Sequence, residues 1–420
     1  MKRLSGASNG IKDGLIKSMD YRGDLYRVDV LDGIRALSVL MVLWFHFWQQ
    51  TWLMPAYQTP FLEWLGVRYV DLNAFRYCGY LFVDMMVLIS AFSLFLPHAR
   101  AMIIKGEPVP KVGEFYVKRA ARILPSYLFC IIVLFIIALA GNLYNGNAGY
   151  MLKDIATHLT FTQMFFADTY MYTKLGVVLW TVALLVLFYA VFPLLAWGFR
   201  RLHVFMYVIL AAAGVGFALL FARQSNVAMY VNQFPTFLPV FANGMAGACL
   251  YVWFAEKCKF KRLISPLMTI AAMAMAVVIV IMVKDCHAQS GVSASQVWQL
   301  ENRYFLSLAF LGFILFSAFS VKPYRKIFSN PVAKSLAAIS FNLYIWHQWI
   351  MVELRAAMGY AHGGDVSAAG GNAQIMLTVE ALALSALAAT LLTYCVEKPV
   401  SRLIMKLYRK RGEKDALSIQ

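Results

Sequence analysis

Ten runs of predominantly apolar residues divide this chain, near 31–53, 79–96, 123–141, 176–198, 204–222, 236–255, 264–283, 303–320, 335–352 and 374–396. Each has about the 18 to 23 residues that a helix needs to cross the hydrocarbon of a bilayer. An eleventh run, 157–167, is too short to cross. Backbone groups in lipid must be satisfied within the segment itself, so the fold class is all-α, a polytopic membrane bundle of about ten helices. Composition agrees: 61% of residues are hydrophobic and 14% charged, against about 25% charged in soluble domains.

The basic residues orient the bundle, because cytoplasmic loops carry the excess of Lys and Arg. With both termini inside, the inner segments hold 29 of the 38 basic residues and the outer loops 7, while Arg35 and Arg303 lie within spans. The bias alternates from loop to loop, which predicts N-in and C-in. A net charge of +17 spread over six segments forms no groove-sized patch, so nucleic acid is not an expected partner. The lipid bilayer is. The first thirty residues lack a cleavage site after a short apolar core, and span one is expected to act as the insertion signal. The expected organisation is a polar cytoplasmic segment (1–30), a transmembrane domain (31–397) and a basic cytoplasmic tail (398–420).

Six cysteines show no CxxC or Cys/His spacing, and no metal is expected. Cys130, Cys249 and Cys395 fall within spans; Cys78 and Cys286 fall near the outer face, where a disulfide between them is one option.

Several spans carry residues that hydrocarbon disfavours. VLDGIRALSVLMVLWFHFWQQTWL holds Arg35 and His46, and an ionisable group there costs several kcal/mol. Eleven residues at about 100° each close to within about 20° of three turns, so both side chains share one stripe, about 16 Å apart along the axis. Arg35 reads as a functional cation or as a snorkelling anchor; His46 as a base or as an imidazole bonded to a neighbouring helix. YVKRAARILPSYLF sets Lys118, Arg119 and Arg122 at the start of the third span, where a guanidinium pair suits bidentate phosphate binding and equally suits a positive-inside anchor. In LFVDMMVLISAF, Asp84 reads as a counter-ion to Arg76 or Arg68. ISFNLYIWHQWI holds Asn342, Tyr344, Trp346 and His347, and in VEKPV, Glu397 and Lys398 read as ending a helix before Pro399.

In this order the motifs resemble the acyltransferase 3 family of integral membrane acyltransferases, over about residues 28 to 405. LDGIRALSVLMVLWFH is similar to its opening Arg and His, RAAR to its Arg-x-x-Arg, VDMMVLISAF to its second-span signature, SFNLYIWHQWI to its late Ser-x-x-Leu-Tyr-x-Trp-His and VEKPVSR to its closing Glu-Arg/Lys-Pro. The resemblance implies a multi-pass protein of a bacterial inner or plasma membrane. It implies an acyl-CoA donor on the cytoplasmic side, acetyl-CoA foremost, and a hydroxyl acceptor on a cell-envelope carbohydrate or glycolipid. Coenzyme A carries a 3′-phosphate and a pyrophosphate, which Arg119, Arg122 and Lys118 are expected to hold, with Arg35 deeper on the same route. His46 is the expected general base, since imidazole titrates near neutrality; an acyl-histidine relay is the other route. Asp84, Trp180, Tyr189, Asn342, Tyr344, His347 and Glu397 are expected either at the acceptor or as structural polar groups.

The chain departs from the family in WTVALLVLFYAVFP: Trp180, Thr181, Phe188, Tyr189 and Pro193 match, but Leu185 and Leu187 stand where the family commonly has Glu and Gln. Ser90-Ala91-Phe92 replaces Ser-Gly-Phe. These changes keep open a catalytically impaired member, and FPTFLPVFANGMAG, a Gly/Pro-interrupted span at 234–247, keeps open a glycan or acyl transporter.

Overall fold

The computed structural model describes residues 28–53, 56–58, 63–64, 68–258, 261–360 and 370–417. The expected polar segment 1–30 lies almost entirely outside them, as do parts of the loops at 54–78 and 353–373 and the last three residues of the expected tail. In chain order the elements are α1 (Val30–Thr51), β1 (Ala56–Gln58), β2 (Tyr69–Asp71), α2 (Asn73–Tyr77), α3 (Phe82–Ile103), α4 (Val112–Ala140), α5 (Ala148–Leu159) and α6 (Ala167–Met171). They continue as α7 (Trp180–Leu202), α8 (Val204–Phe221), α9 (Val227–Tyr230), α10 (Leu238–Lys257), α11 (Lys261–His287) and α12 (Val292–Ala318). The chain closes with α13 (Lys322–Ser329), α14 (Pro331–Ala357), α15 (Gly371–Leu392) and α16 (Lys398–Leu417). The two strands pair antiparallel, Tyr57 opposite Val70, and are a minor ornament on an all-helical bundle.

Among the described residues nine helices are long and apolar enough to cross a membrane, by length and composition. The expected span 335–352 falls in α14, which has 27 residues but is not one of the nine; Asn342, His347 and Gln348 dilute its apolarity. The expected break at 234–247 is confined to a 3-10 turn, Phe234–Phe237, that leads into the unbroken α10.

Helix α3 buries residues all round, Asp84 among them, and is accordingly central, packed against α10 and α1. Small residues let α3 and α10 approach closely, as membrane helices require where no hydrophobic force drives them together. A Cβ on Gly244 would lie 2.6 Å from the Leu88 carbonyl and 2.7 Å from the Ala91 Cβ, so the methyl of Ala91 is accommodated by a glycine on the facing helix. At the periphery α11 packs mainly on α12 and exposes Leu263, Leu267, Ile270, Val277 and Ile281, a lipid-facing stripe at helical spacing.

Asp84 does not pair with Arg76 or Arg68. Its Oδ2 accepts from Arg303 Nε at 3.0 Å, with both side chains buried. The Arg303 guanidinium also donates to the Val231 carbonyl and, at 2.6 Å, to Thr236 Oγ1, and it lies 4.1 Å from the Phe237 ring centroid. One buried guanidinium thus fastens α12, α3 and the turn entering α10. Arg68 pairs instead with the exposed Glu63, and Arg76 lies over Trp48.

The segment between α4 and α7 is held by a second polar knot. Asn147 caps α5 by accepting from the Tyr150 N–H at 2.9 Å. Buried Asp154 accepts from Thr173 Oγ1 (2.8 Å), the Lys174 N–H (3.0 Å) and the Tyr144 hydroxyl (3.1 Å). Burial disfavours its charge, but the hydrogen bonds from His158, Lys174 and Thr173 outweigh that and hold the carboxyl below its ordinary value. Its stabilising contribution is complete above the unfolded carboxylate value of about 4 and is lost as pH falls through the lowered folded one.

Removing Arg303 strands a buried carboxylate. Arg303→Met should destabilise the protein by about 3 to 5 kcal/mol, read by thermal unfolding in detergent, and adding Asp84→Leu should recover most of the loss.

Candidate active site

Five helices enclose a cavity of about 470 Å³ whose wall carries Arg35, Arg119 and Arg122, with Asp32, Tyr189 and Leu185 beside them. That volume lies within the range of about 300 to 1,000 Å³ typical of small-molecule sites. Arg35 comes from α1, one turn after Asp32; Arg119 and Arg122 come from α4, whose helix starts eleven residues before the expected span and so carries the pair on ordered backbone. The i, i+3 spacing puts both on one face. From α7 come Thr181, Leu185 and Tyr189, and from α14 Ser340 and Tyr344. The Tyr189 hydroxyl lies beside the Arg119 guanidinium. Lys118 turns away and pairs with Glu114 at 2.6 Å.

A carboxylate from the far end of the chain organises one of these arginines. Glu397, 3% exposed, lies 3.4 Å from Arg122 Nη1 through Oε1. Its Oε2 accepts from Asn342 Nδ2 at 2.8 Å and from Ser126 Oγ at 3.4 Å, and Asn342 Nδ2 also reaches Thr393 Oγ1 at 2.9 Å. Glu397 does not end a helix before Pro399: α15 passes through a π turn, Thr393–Glu397, straight into α16. Proline lacks an N–H and crowds the carbonyl four residues back; the wider π turn just before it takes up that conflict. The same turn brings Glu397 and Thr393 to one partner, Asn342 of α14.

His46 does not line this cavity. It sits on the same stripe of α1 as Arg35, about 16 Å further along, half-buried, with its ring centroid 5.1 Å from that of His347. Its Nδ1 is 2.9 Å from Gln49 Oε1. With the amide oxygen facing the ring, Nδ1 is the donor and Nε2 keeps its lone pair; the reverse amide orientation pairs with the other tautomer. In His347, Nδ1 is 2.6 Å from the Tyr344 carbonyl, and the buried Nε2 has no hydrogen-bond partner among the described residues. Trp180 packs on Phe237 and, like Asp84, stands away from the cavity wall.

The structure therefore brings together Arg35, Arg119, Arg122, Tyr189 and Tyr344 at the cavity, joins Asn342 and Glu397 to Arg122, and pairs His46 with His347. Sequence reasoning missed Asp32, Gln49, Ser126 and Thr393. Gln49 and Ser126 had a local signal, lying three and four residues past His46 and Arg122 on the same helix faces.

Glu397→Ala removes the common acceptor of Arg122, Asn342 and Ser126 and should lower stability by about 1 to 3 kcal/mol in a thermal melt. Thr393→Val, which deletes one bond of the set, should cost less.

A family model described as an acyltransferase domain, Acyl_transf_3, matches residues 28–396. No curated protein and no solved structure matches the chain significantly. The matched span starts two residues before α1, ends within the π turn one residue short of Glu397, and includes every cavity residue with His46 and His347; with the apolar helices described above, it places the chain in the Acyl_transf_3 family, as a multi-pass membrane acyltransferase.

Proposed function

We propose that this enzyme takes an acyl group, acetyl foremost, from acyl-CoA on the cytoplasmic side and transfers it to a hydroxyl of a cell-envelope carbohydrate or glycolipid, with His46 as general base. The observation that carries this reading is the convergence of Arg35, Arg119 and Arg122 on one cavity, with Arg35 on the same helix stripe as His46. Three guanidiniums within a low-dielectric bundle attract a polyanion, and planar forks suit its phosphate oxygens. The excess of Lys and Arg in alternate loops supports placing both termini, and the arginine end of the bundle, in the cytoplasm where acyl-CoA resides.

In this reading the phosphates rest at Arg119 and Arg122 while the pantetheine arm runs along α1 toward His46. Gln49 holds the Nδ1 proton, and Nε2 accepts the proton of the acceptor hydroxyl as its oxygen attacks the thioester carbonyl. The carbonyl–sulfur bond breaks, and the imidazolium returns the proton to the departing thiolate. Lys118, engaged with Glu114, contributes field rather than contact. Leu185 in the cavity wall favours a second reading, a member of reduced turnover, because it removes a carboxylate from among the arginines. The unbroken α10 weighs against a transporter.

His46→Ala should retain acetyl-CoA binding and lose CoA release by about 100-fold or more, measured on purified protein with acceptor present; normal release in a folded variant would remove the base assignment. Arg119→Ala combined with Arg122→Ala should weaken acetyl-CoA binding at least about tenfold by calorimetry. Unchanged donor affinity would detach these arginines from the phosphates.

A further inference from the structure

Cys78 and Cys286 are both fully buried and carry free thiols. Cys78 follows α2 and precedes the 3-10 turn Gly79–Leu81, while Cys286 is the next-to-last residue of α11. The residues flanking them interlock in pairs: the Tyr77 and His287 rings are 5.1 Å apart, and the Tyr80 hydroxyl is 3.4 Å from Cys286 Sγ. Cys78 lies between those two tyrosines, and its thiol is in hydrogen-bonding contact with that of Cys286. Two thiols held in contact by separate, ordered elements have the proximity that a covalent bridge requires first. Among the described residues no group of three or more His, Cys, Asp or Glu is arranged to hold a metal ion.

The site also has a place in the architecture. Helix α11 is peripheral, exposed along its lipid face, and touches the α1 side of the bundle through α2. The turn it meets there lies under α1: a Cβ on Gly79 would meet the Met41 carbonyl, Tyr80 stacks edge-on against Phe45 at 5.2 Å, and Phe45 lies 4.9 Å from the His46 ring. The thiol pair thus sits at the end of α1 that bears His46, away from the arginines.

We propose that Cys78 and Cys286 form a disulfide that clips the end of α11 to the turn beneath His46. Under the orientation argued above this end faces away from the cytoplasm, toward a compartment where disulfides persist. During membrane insertion, before the two residues are buried by packing, one thiolate attacks the reactive disulfide of an envelope thiol oxidase, forming a mixed disulfide and expelling one oxidase thiol. The second thiolate then attacks the mixed disulfide, closing the Cys78–Cys286 bond and releasing the other oxidase thiol. Two electrons pass to the oxidase, whose disulfide becomes a dithiol carrying the two protons. The bond closes a loop of about two hundred residues, the long-range class in which a crosslink restricts the unfolded chain most.

The test uses the full-length protein, expressed in a bacterial host with an oxidising envelope and purified without reductant. Free thiols are blocked with N-ethylmaleimide under denaturing conditions, and the digest is read by mass spectrometry. The expected result is a peptide pair joined through Cys78 and Cys286 that disappears on reduction with dithiothreitol. Both residues recovered as maleimide adducts, or either bonded to a different cysteine, would overturn the proposal. As a second measurement, dithiothreitol should lower the melting temperature of the parent and leave that of the Cys78→Ser, Cys286→Ser double variant unmoved; equal melts with and without reductant in the parent would remove the clip.

Discussion

A guanidinium surrounded by apolar helices has to find its counter-charge and hydrogen-bond acceptors inside the protein, or face a space that a charged ligand can enter. This molecule applies both solutions, at two levels of the bundle. Arg303 takes the first: Asp84, Thr236, the Val231 carbonyl and the Phe237 face surround it, and the result is a fastening between helices. Arg35, Arg119 and Arg122 take the second, around a cavity. Asp32 and Glu397 are near them, but Glu397 engages Arg122 from behind through a hydrogen-bonded set that also includes Asn342, Ser126 and Thr393. The one carboxylate buttresses the site while leaving the cavity predominantly cationic.

Hydropathy and helical spacing made the bundle and part of the site legible. Apolar runs locate the helices because lipid tolerates little else, and the eleven-residue interval from Arg35 to His46 puts both on one stripe by arithmetic alone. Partners remote in the chain were not legible. Asp84 and Arg303 are separated by 219 residues, and the nearby Arg76 and Arg68 were the better candidates on sequence distance. Proline 399 read as a helix terminator because the local rule knows only the missing N–H; the π turn that absorbs it is set by Glu397 and Thr393 meeting Asn342 on another helix. The apolar run at 335–352 predicts a span in α14, and two of the polar residues that dilute it are the ones the site uses: Asn342 bonds the carboxylate that holds Arg122, and His347 lies against His46.

Leu185 lies on the cavity wall among the arginines, so the residue at this position bears on charge at the site and not merely on packing. A glutamate there would neutralise part of the field that draws an anion inward. With leucine, the wall between Tyr189 and Thr181 is apolar, and the arginines keep more of their reach.

The π turn has a geometric consequence for the C-terminal helix. A π turn holds one more residue than an α turn, so every side chain beyond it is rotated by roughly 100° relative to an uninterrupted helix. Thr393–Glu397 therefore acts as a phase shifter between two halves of one rod. Before it, the inward face of α15 is drawn by Leu377, Ala381, Ser385 and Ala389; after it, Arg402, Lys406 and Arg409 follow a face set by the new phase while α16 leans on α4. The angular position of the basic tail is thereby tied, through a single residue of helical register, to the carboxylate that holds Arg122.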